Sequence, residues 1–243
     1  MRILFSWIIR GRWPYFYTAY GKTNLNRILN PRFVFTFHRN DIELYKNIQS
    51  VLKGKGRFEN KGENTYRYII GDIEGIKILI SILHNKLRTP KNITFNKLIQ
   101  FMNTKYALNF EESILDNSEI NKNSWFTGFI DSDGHFGIKI QESKPKSSTR
   151  KRSRSSSVAL VFKLDQRSFD RPTASSMLPI MEKIAKFLSC NLLTVKRYPK
   201  LPLKLEYIDM LSVEVSALKK IEMLINYFNV YPLLGIKQLD FKD

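Results

Sequence analysis

The sequence predicts an α+β protein built from two copies of one unit, and three observations carry that expectation. The order strand, helix, strand, helix, then a proline ahead of a lysine, runs from about residue 32 to 91 and recurs from about 158 to 237. Between the copies, Trp125-Phe126-Thr127-Gly128-Phe129-Ile130-Asp131-Ser132-Asp133-Gly134 reads as a short helix that passes straight into an alternating strand. The chain also holds 40 Lys and Arg against 22 Asp and Glu, a formal net charge of +18. Duplicated units predict a pseudo-two-fold molecule. The order of elements favours α+β over a parallel βαβ sheet.

The first forty residues contain no Asp or Glu but several arginines. An acid-free, Arg-bearing start resembles an organelle transit peptide. The aromatic run Trp13-Pro14-Tyr15-Phe16-Tyr17 instead suits a strand over Tyr15 to Tyr20. Arg32 to His38 is rich in aromatic and β-branched residues and predicts a strand. Asp41 is expected to cap a helix from Ile42 to Leu52, whose stripe is Ile42, Tyr45, Ile48, Gln49 and Leu52. Gly54 and Gly56 break it, and Thr65 to Ile70 is the next strand. Asp72 starts a helix with Ile76, Leu79, Ile80 and Leu83 on one face, and a further helix covers Ile93 to Met102. The polar, acidic stretch 106–123 reads as a linker with at most a short helical turn. The division expected is therefore 1–105, linker 106–123, and 124–243, with residues 1–30 atypical.

The second copy begins with the helix-to-strand stretch. Its strands are Phe136 to Ile140, Val158 to Leu164 and one or two within Leu205 to Val215, and its helices are Ser175 to Leu188 and Ala217 to Phe228. Gly134 is expected to supply a left-handed residue at the helix end. Gly128 stands inside the helix, where glycine costs ~1 kcal/mol against alanine, which suggests close approach of another backbone. An EF-hand reading of Asp131-Ser132-Asp133-Gly134 fails, because His135 and Phe136 occupy positions that need a ligand and a glycine.

Phe126 to Gly134 resembles, position for position, the signature nonamer of the LAGLIDADG homing endonucleases and intron maturases, with Gly128, Asp131, Asp133 and Gly134 as its most constrained letters. The resemblance implies two αββαββα halves, signature helices packed at the centre, and two curved sheets forming a saddle over DNA. Thr127, Gly128 and Asp131 would then lie at the helix interface. The first half departs from the pattern. Its best-placed apolar run, Phe5 to Arg12, carries arginines where acids belong. Either its signature has degenerated or an upstream segment supplies one.

The resemblance also implies site residues. Asp133, the last acid of the signature, would bind Mg²⁺ or Mn²⁺, assisted by the Ser132 carbonyl. Magnesium keeps several waters, so one carboxylate beside DNA phosphates can suffice. Lys237, in Pro232-Leu233-Leu234-Gly235-Ile236-Lys237, matches the family's cleft lysine, and Lys91 matches it in the first half. Gln166 matches a polar residue that orders water. The basic run Lys144, Lys146, Arg150, Lys151, Arg152 and Arg154 is placed as a hairpin tracking phosphates. Lys139, Gln141 and Lys163 are candidates for base contacts in the major groove, which admits a β-ribbon.

So basic a chain points to duplex DNA or RNA as partner. No stretch reads as a basic amphipathic membrane anchor, and no run of ~18 apolar residues predicts a transmembrane helix. Cys190, the one cysteine, excludes an internal disulfide, and no Cys/His cluster has zinc spacing. His38, His84 and His135 are scattered and read as structural. The functions that remain are an intron-encoded DNA endonuclease, an RNA maturase that helps its own intron fold, and an architectural DNA-binding protein. For the first two the expected form is a monomer with internal pseudo-symmetry, in a mitochondrion or, alternatively, a chloroplast.

Overall fold

A computed structural model describes residues 30–146, 153, 155–198 and 207–242. The stretch from Phe5 to Arg12, the Tyr15 to Tyr20 strand, and Arg150, Lys151, Arg152 and Arg154 lie outside the described residues. The first half runs β1 (Phe33–His38), α1 (Ile42–Val51), β2 (Arg57–Asn60), β3 (Thr65–Ile70), α2 (Ile73–Leu83) and α3 (Lys91–Tyr106). The second runs α4 (Trp125–Asp133), β4 (Gly134–Gln141), β5 (Ser157–Arg167), α5 (Leu178–Phe187), β6 (Leu192–Arg197), β7 (Ile208–Val215), α6 (Leu218–Val230) and α7 (Lys237–Lys242).

Both sheets are antiparallel. Among the described residues the first has order β1-β3-β2 and the second β4-β5-β7-β6. Each packs one face on its own helices. Phe33, Phe35, Tyr45, Ile76, Leu79, Phe95 and Leu98 belong to one buried cluster, and Phe126, Ile130, Phe162, Leu164, Ile184, Val213 and Leu224 to the other. Fully burying side chains of this size contributes about 1.5–3 kcal/mol each, so two such clusters hold two sheets independently.

The register defines which residues correspond. Phe33 pairs with Ile70, three residues before α2 begins, and Phe162 pairs with Val215, three residues before α6 begins. Phe33 therefore matches Phe162, Phe37 matches Gln166, and Asp41 matches Asp170. Leu87 and Leu233, each 1% exposed, stand four residues before Lys91 and Lys237, so those lysines match as well.

Three expectations need correction. Asp41 makes no side-chain cap to α1; its carboxylate is used elsewhere. Asp72 does cap α2, accepting from Gly75 N at 2.7 Å. Gly134 is extended, φ −69° and ψ 158°, not left-handed. Glycine is needed there because a Cβ would meet Ile130 Cγ2 at 2.6 Å and Ile130 O at 2.9 Å. Strands β2 and β6 carried no expectation; both are edge strands with largely exposed side chains, so neither shows a buried stripe. Finally, α3 extends from Lys91 to Tyr106, well beyond the expected helix.

Residues 108–117 lack regular structure yet are bonded down along their length. Asn92 and Asn96 Nδ2 donate to Ser113 O at 2.7 and 2.9 Å, and Asn103 Nδ2 donates to Phe110 O at 2.8 Å. Buried Arg88 donates to Asp116 at 2.9 Å and lies over the Trp125 ring at 5.2 Å. One first-half guanidinium thus fixes both the connecting strap and the start of α4.

Candidate active site

α4 is a nine-residue helix whose first seven residues are buried. Asn123 Oδ1 accepts from Trp125 N at 2.9 Å, which satisfies an orphan donor at the helix start. Phe126 and Ile130 face the second core. Thr127 Oγ1 donates to Tyr231 O at 2.7 Å, and Tyr227 Oη meets Thr127 N at 3.4 Å. These bonds tie Thr127 to the region of α6 in its own half. Gly128 is buried. Asp131 Oδ2 accepts from Leu234 N at 3.0 Å, so this first acid of the signature organises the turn before α7.

The helix delivers Asp133 to the surface at its last turn. Gly134 pairs with Leu164, so Gln166, two residues further along β5, overhangs the end of α4. Its Nε2 donates to Asp133 Oδ2 at 2.9 Å. Gln166 has the strand phase of core residues Phe162 and Leu164, which is why a polar side chain at the sheet end meets the helix rather than solvent.

Lys237, the first residue of α7, donates from Nζ to Ile130 O at 3.1 Å. That carbonyl belongs to the last turn of α4, where the helix dipole favours a cation. Burial pushes the Lys237 ammonium below its ordinary pKa; Asp133, Asp131, Asp240 and Asp41 oppose the shift. Lys91, the first residue of α3, is pushed down to about 8 by desolvation, opposed by Asp133 and Asp170. Of the carboxylates that oppose these shifts, Asp133 acts most strongly on both lysines. Gln166 of β5 thus contacts Asp133 of α4 directly, and Lys237 of α7 and Lys91 of α3 both feel its charge. Among the described residues the matching end of the first sheet is not completed in this way: Phe37 stands in Gln166's place and stacks on Tyr45 at 3.7 Å between ring centroids.

No group of three or more His, Cys, Asp or Glu side chains that could hold a metal ion by itself occurs among the described residues. Exposed Asp133 offers one carboxylate, with Oδ2 oriented by Gln166. That donor set fits a hard divalent cation sharing its shell with water and phosphate oxygens, and it does not fit zinc.

The outer face of the second sheet carries the other candidates. His135 pairs with Lys163, Lys139 with Ala159 and Gln141 with Ser157, all in the phase opposite to Phe136 and Phe162. Lys163 is committed in part to Asp165 at 3.5 Å, a carboxylate that also takes Arg197 at 2.8 Å and Ser212 at 2.6 Å. Lys144 and Lys146 are exposed between β4 and β5. Sequence reasoning missed Arg57 and Arg67, exposed on β2 and β3. The alternation Thr65-Tyr66-Arg67-Tyr68 was the available signal. It also missed Asp41 and Asp170, whose signal is their equal distance from matched strand residues.

A family model described as LAGLIDADG endonuclease matches residues 15–102 and 126–243. The chain is 27% identical over 236 residues to "Intron-encoded DNA endonuclease aI3" of Saccharomyces cerevisiae, covering 88% of this chain and 55% of that protein. It is 27% identical to "Uncharacterized cox1 intron-2 37.2 kDa protein" of Schizosaccharomyces pombe, covering 86% and 56%. The chain thus spans about half the length of the curated relatives it matches. Among solved structures, the meganuclease I-SmaMI bound to uncleaveable DNA superposes with a TM-score of 0.67 at 18% identity, covering 99% of this chain and 87% of that one. The LAGLIDADG meganuclease I-AabMI bound to uncleaved DNA gives 0.64 at 20%, covering 99% and 87%. At such identities these two likenesses bear on the fold.

Proposed function

The chain belongs to the LAGLIDADG endonuclease family, and we propose that it is an intron-encoded, site-specific endonuclease that hydrolyses phosphodiesters of duplex DNA. The observation that carries this reading is the Asp133–Gln166 hydrogen bond at the end of the signature helix, with Lys237 and Lys91 both under the influence of that carboxylate. The +18 net charge and the polar outer face of the second sheet support a polyanionic duplex as partner. The names of the relatives support an intron-encoded origin, and a cox1 intron favours the mitochondrion.

Each residue has a task in this reading. Asp133, with the Ser132 carbonyl, holds a divalent cation, Mg²⁺ or Mn²⁺. Such an ion polarises a phosphoryl oxygen and lowers the pKa of bound water. Gln166 fixes one Asp133 oxygen and so sets which way the other faces. Lys237, anchored on Ile130 O, presents a positive charge where negative charge develops in the transition state. Lys91 supplies a second cation from the other half. Gly128 lets the two halves approach across α4. Lys139, Gln141, Lys144, Lys146 and Lys163 contact the duplex from the second sheet and its hairpin, with the run Arg150 to Arg154 extending the phosphate contacts.

The test pairs binding with cutting. Affinity for a duplex carrying the intronless insertion sequence should fall steeply with salt, by about 0.9 log unit per log salt for each phosphate neutralised. Cleavage should require Mg²⁺ or Mn²⁺ and disappear in chelator. A salt slope near zero, or cutting that survives chelation, overturns the reading. A cleavage-impaired form that binds its own intron RNA as a maturase is the second reading. It is favoured by Phe37 in Gln166's matching place. Intron RNA binding tighter than target DNA binding would select it.

A further inference from the structure

We propose that Asp41 is a positioning residue that reaches from the first half of the molecule to the cleft lysine of the second, acting through the backbone that carries Lys237. What the lysines do rests on the endonuclease reading above; the contacts themselves do not.

Asp41 closes the short 3₁₀ turn after β1. Its Oδ1 accepts from Ile236 N at 2.8 Å, across 195 positions of sequence. Two residues earlier, Leu234 N donates to Asp131 Oδ2 at 3.0 Å. Two carboxylates, one from each half, thus take alternate N–H groups of Leu234-Gly235-Ile236, the turn that delivers Lys237. Hydrogen bonds to ionised acceptors are the stronger kind, and two on one short turn leave it little freedom. Lys237 Nζ then reaches Ile130 O at 3.1 Å. Burial raises the Asp41 carboxyl above the usual range, while the Ile236 bond, His38 and Lys237 oppose that rise. A half-buried acid that makes no cap to its own helix is thus accounted for by the segment it holds.

The place is matched about the internal two-fold, but the backbone clamp is not repeated there. Asp170 occupies the place in the second half that Asp41 occupies in the first, and its charge favours the ammonium of Lys91. The repetition is incomplete for a stated reason. Pro90 stands where Ile236 does, directly before the lysine, and has no N–H to give. Asp170 instead accepts from Thr173 Oγ1 at 2.8 Å and acts on Lys91 by charge. The two segments therefore differ: Asp41 takes the N–H directly before Lys237, and Pro90 offers none before Lys91.

Two readouts on the full chain test the proposal. Hydrogen exchange of the segment 232–238 should be at least ~10-fold faster in Asp41→Ala, with α4 and the second sheet as protected as in the parent. Asp41→Asn, which keeps an acceptor oxygen, should stay within ~3-fold. Ile236→Pro removes the donor from the other side, as Pro90 does naturally, and should reproduce Asp41→Ala at Leu234 and Lys237 with no further gain in the double variant. Unchanged exchange in Asp41→Ala, or full additivity in the double variant, overturns the clamp. Ile236→Pro also keeps the question answerable if Asp41→Ala does not fold. In single-turnover cleavage at saturating DNA, Asp41→Ala should cut ~10-fold slower with affinity within ~3-fold. Lost melting temperature and affinity with the saturated rate unchanged would make Asp41 merely structural and overturn the positioning role. If the parent chain itself does not cut, the endonuclease reading fails, and the exchange experiment alone decides the clamp.

Discussion

The two sheets end differently beside the central helix. The second presents Gln166, bonded to Asp133 at 2.9 Å; the first presents Phe37, 7% exposed and stacked on Tyr45. Both positions have the same strand phase and the same place in the register. The scaffold around them is kept, down to the matched buried leucines before Lys91 and Lys237. Architecture and chemical equipment are thus separable. An aromatic residue at the sheet end extends the core of the first half, whereas a polar one there bonds the acid at the helix end and, in the proposed reading, makes the same location part of a site.

The comparison can be broken most severely at Asp133. Asp133→Asn should reduce cleavage by ~10²-fold or more while target affinity stays within ~2-fold, read from plasmid cleavage and gel shift. Parent-like cutting would mean the second half does not carry the chemistry.

A crossed pair of substitutions sharpens the contrast. Phe37→Ala should cost about 3–5 kcal/mol of stability, because it empties an aromatic stack, with little change in rate per folded molecule. Gln166→Leu should do the reverse, slowing cleavage ~10-fold while leaving the denaturation midpoint nearly unchanged. If both variants act on stability alone, Gln166 is a core residue like its counterpart.

Gly134→Ala should destabilise by about 1–3 kcal/mol, since the new Cβ meets Ile130 at 2.6 Å and the helix-to-strand junction must shift. A parent-like melting temperature would show that the junction yields without strain. The smallest effect is at Lys91. Its folded pKa of about 8 lies below its unfolded value of 10.5, so between those limits the unfolded chain binds more protons and this group adds stability as pH rises. Melting of the free protein from pH 7.5 to 10 should therefore move in favour of the parent relative to Lys91→Met. A pH-independent difference would contradict the burial of this ammonium.

The parts of the fold legible in sequence are those with a buried stripe or a fixed local rule. Thr65 to Ile70, the Asp72 cap and the passage from helix to strand at Asp133 and Gly134 all follow from alternation, capping and the signature's spacing. Strands β2 and β6 do not, because edge strands bury little and Arg57-Phe58-Glu59-Asn60 looks like a turn. The need for Gly134 was legible but its cause was not: close packing on Ile130, not backbone handedness, is a tertiary fact. Asp41 reads as a helix cap in sequence because its partner, Ile236, lies in the other half. Asp133, Gln166, Lys237 and Lys91 were each named from the family resemblance, but the Gln166 bond to Asp133 and the reach of that charge to both lysines require the fold.

In the endonuclease reading, Gln166 bonded to Asp133 equips the second half for cutting, while Phe37 stands in the matching place among the described residues of the first. The most direct measurement is the order of strand cuts on a supercoiled plasmid carrying the insertion sequence, with Mg²⁺ and saturating protein. The asymmetry predicts that nicked circles accumulate first and that the second cut is at least ~10-fold slower. Linear product formed from supercoiled DNA without a nicked intermediate would contradict it, because two equal sites would then be at work.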